Sequence, residues 1–229
     1  MKITFLITAG PTVEDIDPVR FISNRATGKL GVAIASTAIS RGHKVVLIHG
    51  PVSESVLTGL PKSKRLKIIA VRSAAEMHRA VIKHVKTANV AVMNAAVADF
   101  TPAELSTTKL KKAEQGLVLH LKPTVDILKE LGRIKTKKQT ALTLIGFALE
   151  TGKGSTLKAR RASQLAEAQR KLHDKNADAI ILDAPHTMGA DNGDFTIIER
   201  GGALSQCRMS KQNFAVEIVK LGERFQRES

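Results

Sequence analysis

The sequence predicts a three-layer, Rossmann-like α/β fold with a mainly parallel sheet and a C-terminal β-hairpin. Three observations predict it. Short apolar, β-branched runs alternate with helix-length segments from Lys2 to Leu182, the order that builds βαβ units. Gly10-Pro11 and Gly50-Pro51 close the first two runs. Two late runs, 195–199 and 203–209, are joined through Arg200-Gly201-Gly202, a hairpin pattern. The length of 229 residues, 43% of them hydrophobic, suits one domain over 1–229 with a core of its own.

The first run, 2–8 (KITFLIT), reads as a buried strand. A helix over 29–41 has small apolar residues on one face and ends at Gly42. A second strand covers 43–48 and a third 65–71. Ser73-Ala74-Ala75-Glu76 is a capping box that opens a helix to about Val85. Its His78 and His84 do not share a face, so both read as solvated surface. Residues 90–97 (VAVMNAAV) read as a fourth, central strand. A short strand is expected at 117–121, a helix from Asp126 to Leu131, and a basic surface turn at 133–138. Residues 141–148 (ALTLIGFA) are a fifth strand, 156–176 a long basic helix and 178–182 a sixth strand. A Gly/Asp/Asn-rich loop at 189–194 precedes the hairpin, and an amphipathic helix over 212–224 closes the chain.

The formal charge of 36 − 21 = +15 predicts anionic partners. With no Trp or Tyr and seven Phe, the chain is poor in stacking platforms for single-stranded nucleic acid. Cys207 is the sole cysteine, which excludes an internal disulfide and a cysteine-built zinc site within one chain. No apolar run reaches membrane-spanning length, and the N-terminus is too quickly polar for a secretory signal, so no membrane partner is expected and the location is cytoplasmic.

The stretch Asp17 to Gly31 (DPVRFISNRATGKLG) carries most of the chemistry. A loop of about twenty residues joins the first strand to the first helix, where a simple βα loop has about two to six. It brings Arg20, Ser23, Asn24, Arg25 and Lys29 to a helix N-terminus, where backbone N–H groups and the helix dipole favour an anion. It is either a site for phosphate and carboxylate groups or an ordinary capping loop. The Gly-x-Gly-x-x-Gly turn of a dinucleotide site is missing, as is an acidic residue after the second strand, so nicotinamide and flavin chemistry are disfavoured. Asn94, Ala95, Ala96 and Asp99 follow the central strand, at the edge where open α/β sheets bind ligands. Lys109, Lys111 and Lys112 are a solvated face or a flap that closes on a polyphosphate. Phe147 either stacks on a base or packs the core, and Lys171 and Lys175 lie one helical turn apart.

Several of these segments together resemble one family, the phosphopantothenate–cysteine ligases (phosphopantothenoylcysteine synthetases) of coenzyme A biosynthesis. They are Ile7-Thr8-Ala9-Gly10, the stretch Asp17 to Gly31, Asn94 to Phe100, Lys109 to Lys112, Asp126-Ile127-Leu128, Gly146 to Thr151 and Lys175-Asn176, in family order. The resemblance implies a two-step ligation. The carboxylate of 4′-phosphopantothenate attacks the α-phosphate of CTP, or less expectedly ATP, and pyrophosphate leaves. The amine of L-cysteine then attacks the acyl-nucleotidylate. Mg²⁺ is expected to travel with the nucleotide, and no flavin is expected. As catalytic residues the resemblance implies Asn24 and Lys109, and as substrate contacts Arg20, Asn24, Ala95 and Ala96. As nucleotide contacts it implies Gly10, Asn94, Ala95, Asp99, Lys109, Val125, Asp126, Ile127, Leu128, Phe147, Lys171 and Lys175. It implies a homodimer; if a phosphopantothenoylcysteine decarboxylase is a partner, it is expected on another chain. Metal ligands are not implied.

Thr107, Thr108, Val125, Leu149 and Asp183 depart from the family's common residues and bear on the flap and nucleotide preference. The competing reading is a non-catalytic nucleotide-binding or nucleic-acid-binding protein on the same fold, motivated by the net charge. The ligase reading itself expects no nucleic-acid partner.

Overall fold

The computed structural model describes residues 2–112, 116–138, 141–183, 187 and 190–228. The ends of the expected domain, Met1 and Ser229, and the first residue of the expected 189–194 loop, Gly189, lie outside them. Twelve strands and six helices are described. In chain order they are β1 (Thr4–Ala9), β2 (Val13–Asp15), β3 (Phe21–Ser23), α1 (Lys29–Ser40), β4 (Lys44–His49), α2 (Glu54–Leu57), β5 (Leu66–Ala70), α3 (Ala74–Val85), β6 (Val90–Met93), β7 (Phe100–Pro102), β8 (Leu121–Pro123), α4 (Ile127–Lys138), β9 (Thr143–Leu149), α5 (Leu157–Asp174), β10 (Ala179–Asp183), β11 (Asn192–Glu199), β12 (Leu204–Ser210) and α6 (Lys211–Glu228).

Eight strands form one sheet in the order β12-β11-β10-β9-β6-β1-β4-β5. From β5 to β10 neighbours run parallel, and β11 and β12 add the antiparallel hairpin at one edge. The expected three-layer fold is therefore present. Alternating side chains along each strand feed two cores, as the two-residue period of a strand requires. On one face Phe5, Ile7, Val92 and Ile181 pack under α1 and α6. On the other, Leu6, Ala91, Leu144 and Ile180 pack under α3, α4 and α5. Among the described residues no helix is long and apolar enough to cross a membrane.

Some expectations need correction. The fourth strand ends at Met93, not Val97, because the backbone from Ala96 onward bonds to the loop after β1. The short strand is Leu121–Pro123 rather than 117–121, and it pairs with Phe100–Pro102 outside the main sheet. The expected basic turn at 133–138 is helix α4. Its Ile134 packs on the second core, and Lys135 Nζ donates to the Asp178 carboxylate at 2.5 and 2.6 Å. His78 is not simply solvated, since its Nε2 lies 2.6 Å from Glu130 on α4. The Ser73 half of the expected capping box is present, since Ser73 Oγ accepts the Glu76 N–H, while the Glu76 carboxylate reaches one residue further back, to the Arg72 N–H.

Candidate active site

β1 and β6 are adjacent and parallel, but the chains leaving them part. The path after β1 leads to α1 on one face, and the path after β6 leads to α4 on the other. Such a fork leaves a crevice beyond the carboxyl ends of the strands. The two loops that floor it are tied together. Thr8 Oγ1 accepts the Ala95 N–H at 3.1 Å, Ala96 N–H donates to the Gly10 carbonyl at 2.9 Å, and Thr12 Oγ1 accepts the Ala98 N–H at 2.9 Å. The small side chains of Ala95 and Ala96 keep this backbone open to a ligand. Asn24, just past β3, donates from Nδ2 to the Ala96 carbonyl at 2.9 Å, which fixes its amide at the lip. Gly28 has φ +79° and caps α1; a Cβ there would sit 2.7 Å from Val52 Cγ1 and 3.3 Å from the Gly10 Cα, so two bare backbones cross at that point.

Above this floor lies a cavity of about 480 Å³, within the range of small-ligand pockets. Of the residues that the resemblance implies, Gly10, Asn24, Asn94, Ala95, Ala96 and Asp99 line it. Val125, Asp126, Ile127, Leu128, Phe147, Lys171 and Lys175 line it as well. The start of α4 is held against the β6 exit by Thr124, whose N–H donates to the Asp99 carbonyl and whose hydroxyl donates to that of Ala98. Asp126 Oδ1 accepts the Lys129 N–H at 3.0 Å, a capping bond at the start of α4. Phe147 packs on the α1/α6 core and also lines the cavity.

The cations of the cavity come from both faces of the sheet. On the α4/α5 side, Lys175 meets Asp126 at 3.0 Å and Lys171 pairs with Glu150. On the α1/α6 side, Lys29 meets Asp191 at 2.8 Å and Lys211 Nζ donates to the Thr187 carbonyl at 2.8 Å. The hydrogen bond from Lys29 holds Asp191 below its usual carboxylate range. Burial pulls the Lys211 ammonium down; Asp183 opposes this, Lys29 adds to it and Asp191 opposes it. Thr8, Met77, Thr187 and Lys211 are wall residues that sequence reasoning did not name as site residues, and Asp183, noted there only as a departure, is on the wall too. Lys211 had no signal of its own, standing at the edge of an ordinary amphipathic helix.

Arg20 and Lys109 are the two implied site residues outside the cavity wall. Arg20 Nη1 meets Asp17 Oδ2 at 3.0 Å and the Leu110 carbonyl at 3.1 Å, and Leu110 N–H donates to Asp17 Oδ2 at 3.1 Å. Asp17 is 2% exposed and also accepts the Val19 and Arg20 N–H groups at 2.8 Å each. Burial pushes its carboxyl up, but the backbone donors Val19, Leu110 and Arg20, with the Arg20 charge, hold it below the usual range. This carboxylate fastens the lysine-bearing segment to the loop after β2, while Lys109 itself is exposed. Among the described residues no group of three or more His, Cys, Asp or Glu side chains could hold a metal ion.

The family model described as the DNA/pantothenate metabolism flavoprotein C-terminal domain matches residues 1–224. The chain is 39% identical over 219 residues to a protein named cysteine/cysteine sulfinic acid decarboxylase, from an unknown prokaryotic organism, covering 93% of this chain and 56% of that protein. It is 41% identical over 222 residues to the coenzyme A biosynthesis bifunctional protein CoaBC of Bacillus subtilis (strain 168), covering 94% and 50%. The chain spans about half the length of these curated relatives. Among solved structures it is similar to the C-terminal domain of a coenzyme A biosynthesis bifunctional protein CoaBC, with 34% identity, a TM-score of 0.77, and coverage of 99% and 96%.

Proposed function

The chain belongs to the DNA/pantothenate metabolism flavoprotein C-terminal domain family, and we propose that residues 1–229 act as one phosphopantothenate–cysteine ligase domain of coenzyme A biosynthesis. The observation that carries this reading is the cavity at the β1/β6 fork, which combines a bare Ala95-Ala96 backbone, the fixed Asn24 amide, and lysines from both sheet faces. Such a site suits two anionic substrates whose reaction depends on positioning and charge neutralisation.

In this reading the nucleoside lies against Phe147 and the α4 start, with Asp99, Lys171 and Lys175 around it. The 4′-phosphopantothenate carboxylate approaches beside Asn24, Ala95 and Ala96, attacks the α-phosphorus, and pyrophosphate leaves. The cysteine amine then attacks the acyl carbon, and the nucleoside monophosphate departs. In this reading Asn24 holds the acyl oxygen as it gains negative charge, a role supported by the bond that fixes its amide at the lip. Lys109 supplies a mobile positive charge when its segment closes, and Arg20 anchors that segment. No electron changes hands between oxidation states, so the reaction calls for no flavin. CTP is favoured over ATP by the bacterial spelling of the motifs.

A nucleotide-borne magnesium needs only one or two carboxylates from a protein, with phosphates and water supplying the rest. The wall carboxylates Asp99 and Asp183 fit that requirement. Magnesium bound there would neutralise phosphate charge. Val19, Phe21, Phe100, Leu105 and Leu121 are exposed apolar side chains on or beside the two small sheets that flank the Asn24 loop. They support a homodimer in which a second copy covers this side of the site. A cytoplasmic location completes the reading.

The test is the intermediate. With CTP, Mg²⁺ and 4′-phosphopantothenate but no cysteine, mass spectrometry should detect the acyl-cytidylate, and added cysteine should convert it to the amide. Absence of the adduct with both CTP and ATP, from folded protein, overturns the reading.

A further inference from the structure

α3 and α4 lie side by side on one face of the sheet, where His78 of α3 and Glu130 of α4 meet at 2.6 Å. Each helix presents a row of exposed cations about one turn apart. Arg79, Lys83 and Lys86 follow α3 and the residue that ends it, and Lys129, Arg133 and Lys137 follow α4. The carboxylates of the two helices are already engaged: Glu76 accepts the Arg72 N–H, and Glu130 meets His78. Among the described residues, none of these six cations takes part in an ion pair. Lys67 of β5 extends the positive surface. Burial first, then the Lys67 and Lys83 charges, hold the His84 imidazole below its usual range.

The α4 row borders a hollow of about 320 Å³, distinct from the main cavity, that Lys129, Arg133 and Lys137 line together with Gly132, Thr136 and Asn176. Its floor is fixed. Asn176 has φ +48°, and its Nδ2 donates to the Gly132 carbonyl at 3.3 Å and to the Thr136 hydroxyl at 2.7 Å. A Cβ on Gly132 would lie 2.0 Å from the Lys175 carbonyl oxygen, so the end of α5 is pressed against α4 there. Asp174, at the rim, is paired with Arg170, and Lys175 with Asp126. The three cations of the row are left for an outside anion.

We infer that the α3/α4 face is a binding surface for duplex DNA, held through its phosphates without regard to sequence. Successive cations in a row stand about 4–6 Å apart along the helix axis, and packed helices lie about 8–10 Å apart. Two rows at that separation suit the two phosphate backbones that border a groove, which is about 6 Å wide for the minor and about 12 Å for the major groove. The chemistry of the face selects this partner. A protein partner is gripped by apolar and aromatic anchors, and a lipid surface by apolar side chains that enter it; no exposed large apolar side chain among the described residues lies on α3 or α4. Single strands are held by stacking on aromatic rings, and neither helix has one. A duplex keeps its bases inside and offers charge alone. None of the six cations lines the main cavity, so the inference stands apart from the ligase reading.

The experiment is a fluorescence-anisotropy titration of a labelled, mixed-sequence DNA duplex of about 20 base pairs with the full chain, at about 50–200 mM salt. The proteins are the unmodified chain, Arg79→Gln/Lys83→Gln, Arg133→Gln/Lys137→Gln and, on α6 at the opposite sheet face, Lys220→Gln/Arg227→Gln, each checked for folding by its thermal melt. For the unmodified chain the logarithm of the binding constant should fall linearly with the logarithm of salt, with a slope of about −3 to −5. Each α3 or α4 variant should reduce that slope by about 2 and weaken binding about tenfold to a hundredfold at about 0.1 M salt. The α6 variant loses the same charge and should bind like the unmodified chain. No duplex binding at about 50 mM salt, or equal losses in all three variants, overturns the inference. So does a single strand of the same length bound as tightly as the duplex. Displacement of the duplex by phosphatidylserine vesicles or by polyglutamate at equal charge gives the face to a membrane or to an acidic protein and also overturns it.

Discussion

Replacing Gly31 by Ala tests whether the α1 start positions the chemistry. Gly31 sits in the first turn of α1, where the helix crosses the end of β1. An added Cβ would lie 2.6 Å from the Ala9 Cβ, 3.1 Å from the Ala9 Cα and 3.0 Å from Asn94 Oδ1. Carbon atoms rest at about 3.5–4.0 Å, so helix and strand must part by about 1 Å. Overpacking of that kind costs about 1–3 kcal/mol, and the better helix propensity of Ala returns up to about 1 kcal/mol. The net destabilisation is about 1–2 kcal/mol, a melting-point drop of about 2–8 °C for a chain of this size. The effect on chemistry should be larger, because a shift of about 1 Å in a positioned group can cost about a hundredfold in rate. The same shift moves Asn94 on the cavity wall. The assay pairs thermal melts with pyrophosphate-release kinetics for Gly31→Ala and for Gly201→Ala, where a Cβ would meet nothing within 4 Å. Gly201→Ala should match the unmodified chain in both. A Gly31→Ala protein that keeps full activity refutes the claim that this crossing sets the site.

Three further outcomes are expected. Glu223 receives two bonds from Arg41, at 2.8 and 2.7 Å, and lies 2.8 Å from His43 Nε2. The Arg41 hydrogen bond, opposed by burial and helped by His43, pushes its carboxyl down to about 2 from 4.5. The stability it supplies, at most about 3 kcal/mol, is therefore present above pH 4.5 and lost as pH falls toward 2. Glu223→Gln should lower the melting temperature at neutral pH and flatten its fall over that acid window; unchanged melts at both ends contradict this. Asp17→Asn removes the charged acceptor that holds Leu110 and Arg20, so trypsin should cut at Lys109, Lys111 and Lys112 several times faster; an unchanged cleavage rate shows that Asp17 does not hold the segment. Phe147→Leu keeps an apolar core contact but loses the ring, and should raise the KM for nucleotide about tenfold, the equivalent of about 1.4 kcal/mol; an unchanged KM assigns Phe147 to the core alone.

The buried strands were readable because their period and length leave few alternatives. β1, predicted at 2–8, is Thr4–Ala9, and the hairpin is β11–β12. Misreadings fall where tertiary bonds overrule local pattern. Residues 94–97 look like strand because they are small and apolar, yet they are small so that the cavity floor can lie against Gly10 and Thr12. The stretch 133–138 looks like a turn because lysines crowd it, yet Asn176 Nδ2, from beyond α5, donates to the Gly132 carbonyl and Thr136 hydroxyl and fixes it as helix. Most of the cavity wall was legible through the motif segments, since most of those that line it end a strand or begin a helix, while Lys171 and Lys175 come from the end of α5. Lys211 and Thr187 were not, because their place depends on α6 packing beside α1, a contact distant in sequence. Arg20 was legible as a cation, but its carboxylate and carbonyl partners show up only in three dimensions.

The ligase account is tested most directly by pyrophosphate release in the presence of Mg²⁺, 4′-phosphopantothenate and cysteine, run in parallel with CTP and ATP. The account predicts release that requires 4′-phosphopantothenate, runs faster with CTP, and is abolished in Lys109→Gln. Folded protein that releases no pyrophosphate with either nucleotide contradicts it.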